Sequence, residues 1–237
     1  MESQLIIPKE SKANFSTTWK IYKQHWKTFI ALTGFSAAVY FLYTIIDLIL
    51  NIFGLASVSL TSYSDYESLG IGAAIVALLI RIPLAIFFQC LAALLAVLYY
   101  VIPALYFKNK EIITWKVPYK VLKNNFKRYL FAGILYGLVF SIGFVLCFIP
   151  GIVISFICPA YVNKIACTDM PIMEAFKSSF QAVFKSPNLW SYIGMLILAF
   201  IIYLIPTLCT CLIGSIITLP MISIYSQHLT YNKGILN

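Results

Sequence analysis

From Trp190 to Tyr231, forty-two consecutive residues carry no ionised side chain, and His228 is the only group among them that titrates near neutrality. A stretch this long and apolar must be taken out of water, either into a core or into a bilayer. Two other runs resemble it: Phe29 to Phe53, interrupted by Asp47, and Ile71 to Phe107, interrupted by Arg81 and Pro83. Of 237 residues, 61% are hydrophobic and 11% charged, whereas soluble domains are about a quarter charged. So few charges cannot cover a soluble surface, which argues against intrinsic disorder, a soluble enzyme or a disulfide-stapled secreted domain. The reading is an all-α polytopic membrane protein.

A helical crossing takes about 20 residues for a hydrocarbon core about 30 Å thick. Phe29–Phe53 supplies the first. The run from Ile71 to Phe107 would be about 55 Å of helix, so the second crossing is placed at 84–106, with 71–82 as an amphipathic lead-in or a protruding extension. Leu130–Ile149 is the third. Pro150-Gly151 is predicted to turn the chain, since Pro pre-sets φ and Gly tolerates positive φ. Ile152–Ala166 returns as the fourth crossing, bent at Pro159. The long uncharged run divides near Pro206–Gly214 into the fifth and sixth. The segment before Phe29 is too polar and too long for a secretory signal.

Basic residues test the count independently. They lie before the first crossing (Lys9, Lys12, Lys20, Lys23, Lys27), between the second and third (Lys108, Lys110, Lys116, Lys120, Lys123, Lys127, Arg128), between the fourth and fifth (Lys164, Lys177, Lys185), and after the sixth (Lys233). That is every basic residue except Arg81. Three paired crossings with both termini in the cytoplasm put all of them on one face, as the positive-inside rule demands. The net charge of +9 then reflects topology and contact with anionic headgroups, not nucleic acid. Trp19, Trp26, Trp115 and Trp190 fall on the same side and read as interfacial anchors. The expected location is the cytoplasmic (inner) membrane, with lipids, and a possible membrane protein, as partners.

The cytoplasmic segments repeat a pattern. Tyr22-Lys23-Gln24-His25-Trp26-Lys27-Thr28-Phe29-Ile30 aligns with Leu122-Lys123-Asn124-Asn125-Phe126-Lys127-Arg128-Tyr129-Leu130, and with Phe184 to Ile193 after one insertion. Amphipathic stretches precede each: Phe15, Trp19, Tyr22 and Trp26; Val117, Val121, Leu122 and Phe126; Phe176, Phe180, Val183 and Phe184. Helices of this kind lie in the interface plane, apolar face down. The chain reads as a single membrane domain over 1–237, built of pseudo-repeats at about 15–106, 117–166 and 176–231. Each is a surface helix followed by a two-span hairpin, giving six transmembrane helices with amphipathic interfacial helices on the cytoplasmic side.

Pro150-Gly151 after the third span, Glu174-Ala175-Phe176-Lys177-Ser178-Ser179 before the fifth, and Gly214 followed by Pro220 at the sixth resemble the glycerophosphoryl diester phosphodiesterase membrane domain family. The resemblance implies a six-span membrane module over nearly the whole chain. Some members place such a region before a phosphodiesterase domain, and no such domain is expected in this sequence. The resemblance leaves the activity of the membrane module itself open.

Asp47 and Arg81 are the ionisable residues deepest in apolar sequence. Helix rise places both near the outer interface, where an ion pair or snorkelling pair would lock spans one and two, and a headgroup contact or gate is the sharper alternative. His25 and His228 fall near the cytoplasmic interface and read as interfacial anchors. Cys90, Cys147, Cys158, Cys167, Cys209 and Cys211 form no Cys-x-x-Cys pair, so metal binding is not expected. No phosphate-binding loop, metalloprotease helix, nucleophile elbow or acid cluster occurs. The sequence therefore points to a non-enzymatic, cofactor-free multi-pass membrane protein, lipid-interacting or accessory to the envelope. A small transporter or channel for a neutral or hydrophobic substrate is the alternative.

Overall fold

The computed structural model describes residues 7–8, 11–52, 71–114, 116–146, 148–210 and 214–236. In chain order it contains α1 (Phe15–Ile52), α2 (Ile71–Asn109), α3 (Lys116–Asn124), α4 (Phe126–Leu146), α5 (Phe148–Cys167), α6 (Ile172–Phe184), α7 (Leu189–Cys209) and α8 (Ser215–Asn232). No strand occurs among the described residues. The fold is all-α. Among the described residues, five stretches of helix are long and apolar enough to cross a bilayer: Phe15–Leu50, Leu79–Asn109, Phe126–Gly143, Ile149–Cys167 and Leu189–Cys209. α8 is not one of them, because Ser223, Ser226, Gln227, His228 and Thr230 raise its polarity.

The observed helices differ from the expected ones in three places. No separate surface helix precedes the first apolar run, because α1 is continuous for 38 residues. Asn14 starts it: its Oδ1 accepts from the Thr17 N–H at 2.8 Å, and Thr17 Oγ1 accepts from the Asn14 N–H at 3.2 Å. This reciprocal cap nucleates the helix, and no Gly or Pro follows to stop it before the span. Of the two expectations for 71–82, a separate lead-in is not found, since α2 runs through Pro83 as one helix of 39 residues and the segment extends the second helix. It closes at Lys110, whose φ of 54° is the left-handed conformation that terminates helices. Pro150-Gly151 is not the turn. Both residues lie in the first turn of α5, where a proline's missing N–H has no partner to lose.

The pattern shared by the three lysine-bearing segments breaks helix in two copies only. Asn125 separates α3 from α4, and Lys185 to Asn188 separate α6 from α7. Asn side chains compete for local backbone groups, and Pro187 cannot donate. Gln24-His25, in the first copy, stays helical.

Contacts divide the chain into two compact units, Met1–Thr33 with Ala93–Asn237, and Gly34–Ala92. In the larger unit α4 packs closely against its neighbours through glycines. A Cβ on Gly133 would meet the Ala93 carbonyl carbon and the Leu94 nitrogen of α2 at 3.2 Å, and Gly137 faces the Ala93 side chain. Further along, a Cβ on Gly143 would meet the Gly151 nitrogen of α5 at 3.0 Å. Gly133-x-x-x-Gly137 is thus the small-residue face through which membrane helices approach each other. α6 buries Ala175, Ser179 and Val183. Phe180 stays exposed and stacks on Phe184 at 4.5 Å.

In the smaller unit α1 and α2 run antiparallel. Tyr43 packs on Phe88 with ring centroids 5.0 Å apart, and Asp47 meets Arg81 four residues further along α1 and seven residues back along α2. Phe41, Leu48, Ile82, Ile86 and Phe87 point outward, as in a helix pair surrounded by lipid.

Candidate functional site

The larger unit holds its polar side chains inside. α8 presents Ser223, Ser226, Gln227 and Thr230 along one buried stripe at helical spacing. Gln227 Nε2 donates to Pro159 O of α5 at 2.7 Å, and its Oε1 accepts from Asn163 Nδ2 at 3.3 Å. Asn163 Nδ2 donates again, to the Tyr231 hydroxyl, at 2.7 Å. From α7, the Tyr192 hydroxyl donates to Phe156 O at 3.0 Å and lies 3.5 Å from Thr230 Oγ1. Pro159 explains why these donors converge. Its missing N–H leaves the Ser155 carbonyl without a helical partner and its ring crowds the preceding turn, and next to it the Phe156 and Pro159 carbonyls accept from Tyr192 and Gln227 of neighbouring helices.

The residues before α1 close over this cluster. The Ile7 N–H donates to the Tyr106 hydroxyl of α2 at 3.0 Å, Asn232 Nδ2 donates to Ser11 O at 3.1 Å, and Ser11 Oγ lies 3.1 Å from His228 Nε2. His228 is fully buried and stacks on Phe107. His25 is buried too. Its Nδ1 donates to Ile21 O at 2.8 Å and its Nε2 accepts from the Ile113 N–H at 3.0 Å, which requires a neutral ring with the proton on Nδ1. Thr28 Oγ1 donates to Ile113 O at 3.0 Å, so α1 satisfies both backbone groups of Ile113. The expectation of interfacial anchoring is corrected for both histidines: each is an interior connector between distant parts of the chain. Replacing His25 by Phe should leave the buried Ile113 N–H unpaired and cost about 1–3 kcal/mol, read as a lower melting temperature in detergent.

Three cationic side chains hold the C-terminal end of α5. Arg128 donates through Nη2 to Thr168 O at 2.7 Å and Met170 O at 2.8 Å, and through Nε to Ile165 O at 3.3 Å. Lys108 Nζ donates to Cys167 O at 2.8 Å, and Lys164 Nζ donates to Ser178 Oγ of α6 at 2.9 Å. A helix C-terminus carries unpaired carbonyls and partial negative charge, so cations there satisfy both. Arg128→Gln should destabilise the protein by about 2 kcal/mol. Arg128→Lys should recover under half of that loss in melting temperature, because a single ammonium cannot span three carbonyls.

The remaining expected site residues lie as follows. Arg81 Nη1 and Asp47 Oδ1 are 3.5 Å apart, the two side chains being 19% and 40% exposed. The structure brings this pair together. Trp26 is exposed, Trp190 is 82% exposed, and Trp19 is half-buried between Phe15 and Tyr22. Lys23 lies over the Trp19 ring at 5.6 Å and Lys27 over Trp26 at 5.8 Å. Trp115, the segment 54–70, Cys147 and Cys211 lie outside the described residues. Sequence reasoning does not find the Asn163–Gln227–Tyr231 cluster. The polar stripe of α8 is the signal that could have found it, because four polar residues on one face of an otherwise apolar helix must point away from lipid.

No family model, curated protein or solved structure matches the chain.

Proposed function

We propose that the chain is a non-enzymatic membrane module of six spans, α1, α2, α4, α5, α7 and α8, paired as three hairpins with both termini on the cytoplasmic side of the inner membrane. Its role is to handle membrane lipid or to support another envelope protein, in keeping with the resemblance to the glycerophosphoryl diester phosphodiesterase membrane domain. One observation carries the reading. The two histidines of the larger unit are held by hydrogen bonds to the Ile113 N–H and the Ser11 hydroxyl, Arg128 and Lys108 are held on backbone carbonyls, and large apolar side chains such as Phe200, Ile201, Ile205 and Leu208 cover the outside. α8 crosses despite its polarity because its polar stripe is buried and paired within the protein.

Two measurements test this. Reporters fused after Asn237 should stay inside the cell and those inserted in 54–70 should report the outside; an external C-terminal reporter removes the three-hairpin scheme. Lipid should survive detergent exchange on the purified protein. Its complete loss, together with substrate-dependent flux in liposomes, would favour a transporter for a neutral substrate, a reading supported by the polar stripe of α8 against the proline-opened turn of α5.

A further inference from the structure

Some basic side chains bond within their own chain, whereas others, Lys12, Lys20, Lys110, Lys177 and Lys185 among them, are exposed with no side-chain hydrogen bond or ion pair among the described residues. Lys108, Arg128, Lys164 and Lys233 bond to carbonyls or hydroxyls of their own chain. Lys116, Lys120 and Lys123 of α3 and Lys127 in the first turn of α4 have no hydrogen bond or ion pair among the described residues, and all are exposed. Positions 116, 119, 120 and 123 share one face of α3, so Tyr119 stands in the same row as three lysines. Tyr119 is 58% exposed and Phe126, at the start of α4, 45%. From Lys108 to Arg128 the sequence holds a single acid, Glu111.

Positional charge bias places lysines near the membrane; on α3 they also gather on one helix face beside exposed aromatic rings. We propose that α3 is an electrostatic foot that binds anionic lipid headgroups, its lysines on the phosphates and Tyr119 and Phe126 at headgroup depth. The geometry supports the occupant. α3 is joined through Asn125 alone to the apolar stretch that begins at Phe126, so Lys123 and Lys127 lie within about a Debye length of the start of that stretch and Lys116 no more than about 15 Å from it. Their charge complements a leaflet rich in anionic lipid. The inference rests on the membrane placement proposed above. It does not rest on lipid being held between the helices, so it and the detergent-exchange test can fail separately.

The test uses the full chain in nanodiscs of phosphatidylcholine, with or without phosphatidylglycerol, and reads amide hydrogen exchange over 116–125. Exchange should be at least about tenfold slower in the anionic discs, since four lysines act together. That difference should shrink at about 0.5 M salt, where screening is short-ranged. A variant carrying K116Q, K120Q, K123Q and K127Q should lose the lipid dependence, while α5 exchanges as in the parent. The matching Lys→Arg variant should keep it, which guards against misfolding as the cause. Equal exchange of the parent in both lipids overturns the proposal. So does protection by added polyglutamate but not by phosphatidylglycerol, which would assign the face to an acidic protein.

Discussion

Gly133→Leu is expected to drive α2 and α4 apart and to destabilise the protein by about 3 kcal/mol, the upper range for overpacking a close contact. The leucine has no room. Even its Cβ would sit at 3.2 Å from three backbone atoms of Ala93 and Leu94, and backbone, unlike a flexible side chain, cannot swing aside. In a bilayer, close packing supplies much of the attraction between helices, because lipid tails solvate leucine as well as protein does. Gly133→Ala sets two effects against each other. Alanine gains up to about 1 kcal/mol of helix propensity over glycine, and the contact loses some packing, so the net change should be much smaller than for leucine. A Cβ added to Gly194 of α7 would have nothing within 4 Å. Gly194→Leu should therefore shift stability by no more than about 0.5 kcal/mol. Thermal unfolding in detergent reads all three variants, and equal losses for Gly133→Leu and Gly194→Leu would refute the packing account.

Reversing one charge of the Asp47–Arg81 pair should have an effect of similar size. Ile45, Leu48 and Ile49 flank Asp47, and Leu79, Ile80 and Ile82 flank Arg81, all exposed. The pair thus sits in an apolar belt, placed by helix rise towards the outer interface, where an uncompensated charge costs less than the about 2.5–3.5 kcal/mol of the bilayer centre. Arg81→Glu places two carboxylates together and should lower the yield of folded protein, with a loss of about 3 kcal/mol. Adding Asp47→Arg should restore at least half of the lost melting temperature, and absence of rescue would count against direct pairing. Neutralising both partners at once, by Asp47→Asn together with Arg81→Gln, should be nearly silent, because desolvating two charges offsets most of their attraction.

The ion pair shows how far arithmetic along a sequence can reach. Two isolated charges in apolar runs, each placed by helix rise, meet at 3.5 Å. The helix α6 shows what such reading leaves out. Its apolar row, Phe176, Phe180, Val183 and Phe184, is legible as one face, but the residues it buries against the rest of the protein are Ala175, Ser179 and Val183. Close approach to a neighbouring helix favours small side chains. Gly133-x-x-x-Gly137 is legible by the same rule, whereas its partner Ala93 is not.

Periodicity and charge placement by themselves determined the helical class, the apolar stretches and the segments that carry lysine, because these depend on solvent and on local repeat. Tertiary structure alone decided which polar groups are satisfied inside. His25 reaches Ile113, 88 residues away, and His228 reaches Ser11, 217 residues away. Such partnerships depend on how helices pack side by side, and no local spacing encodes that.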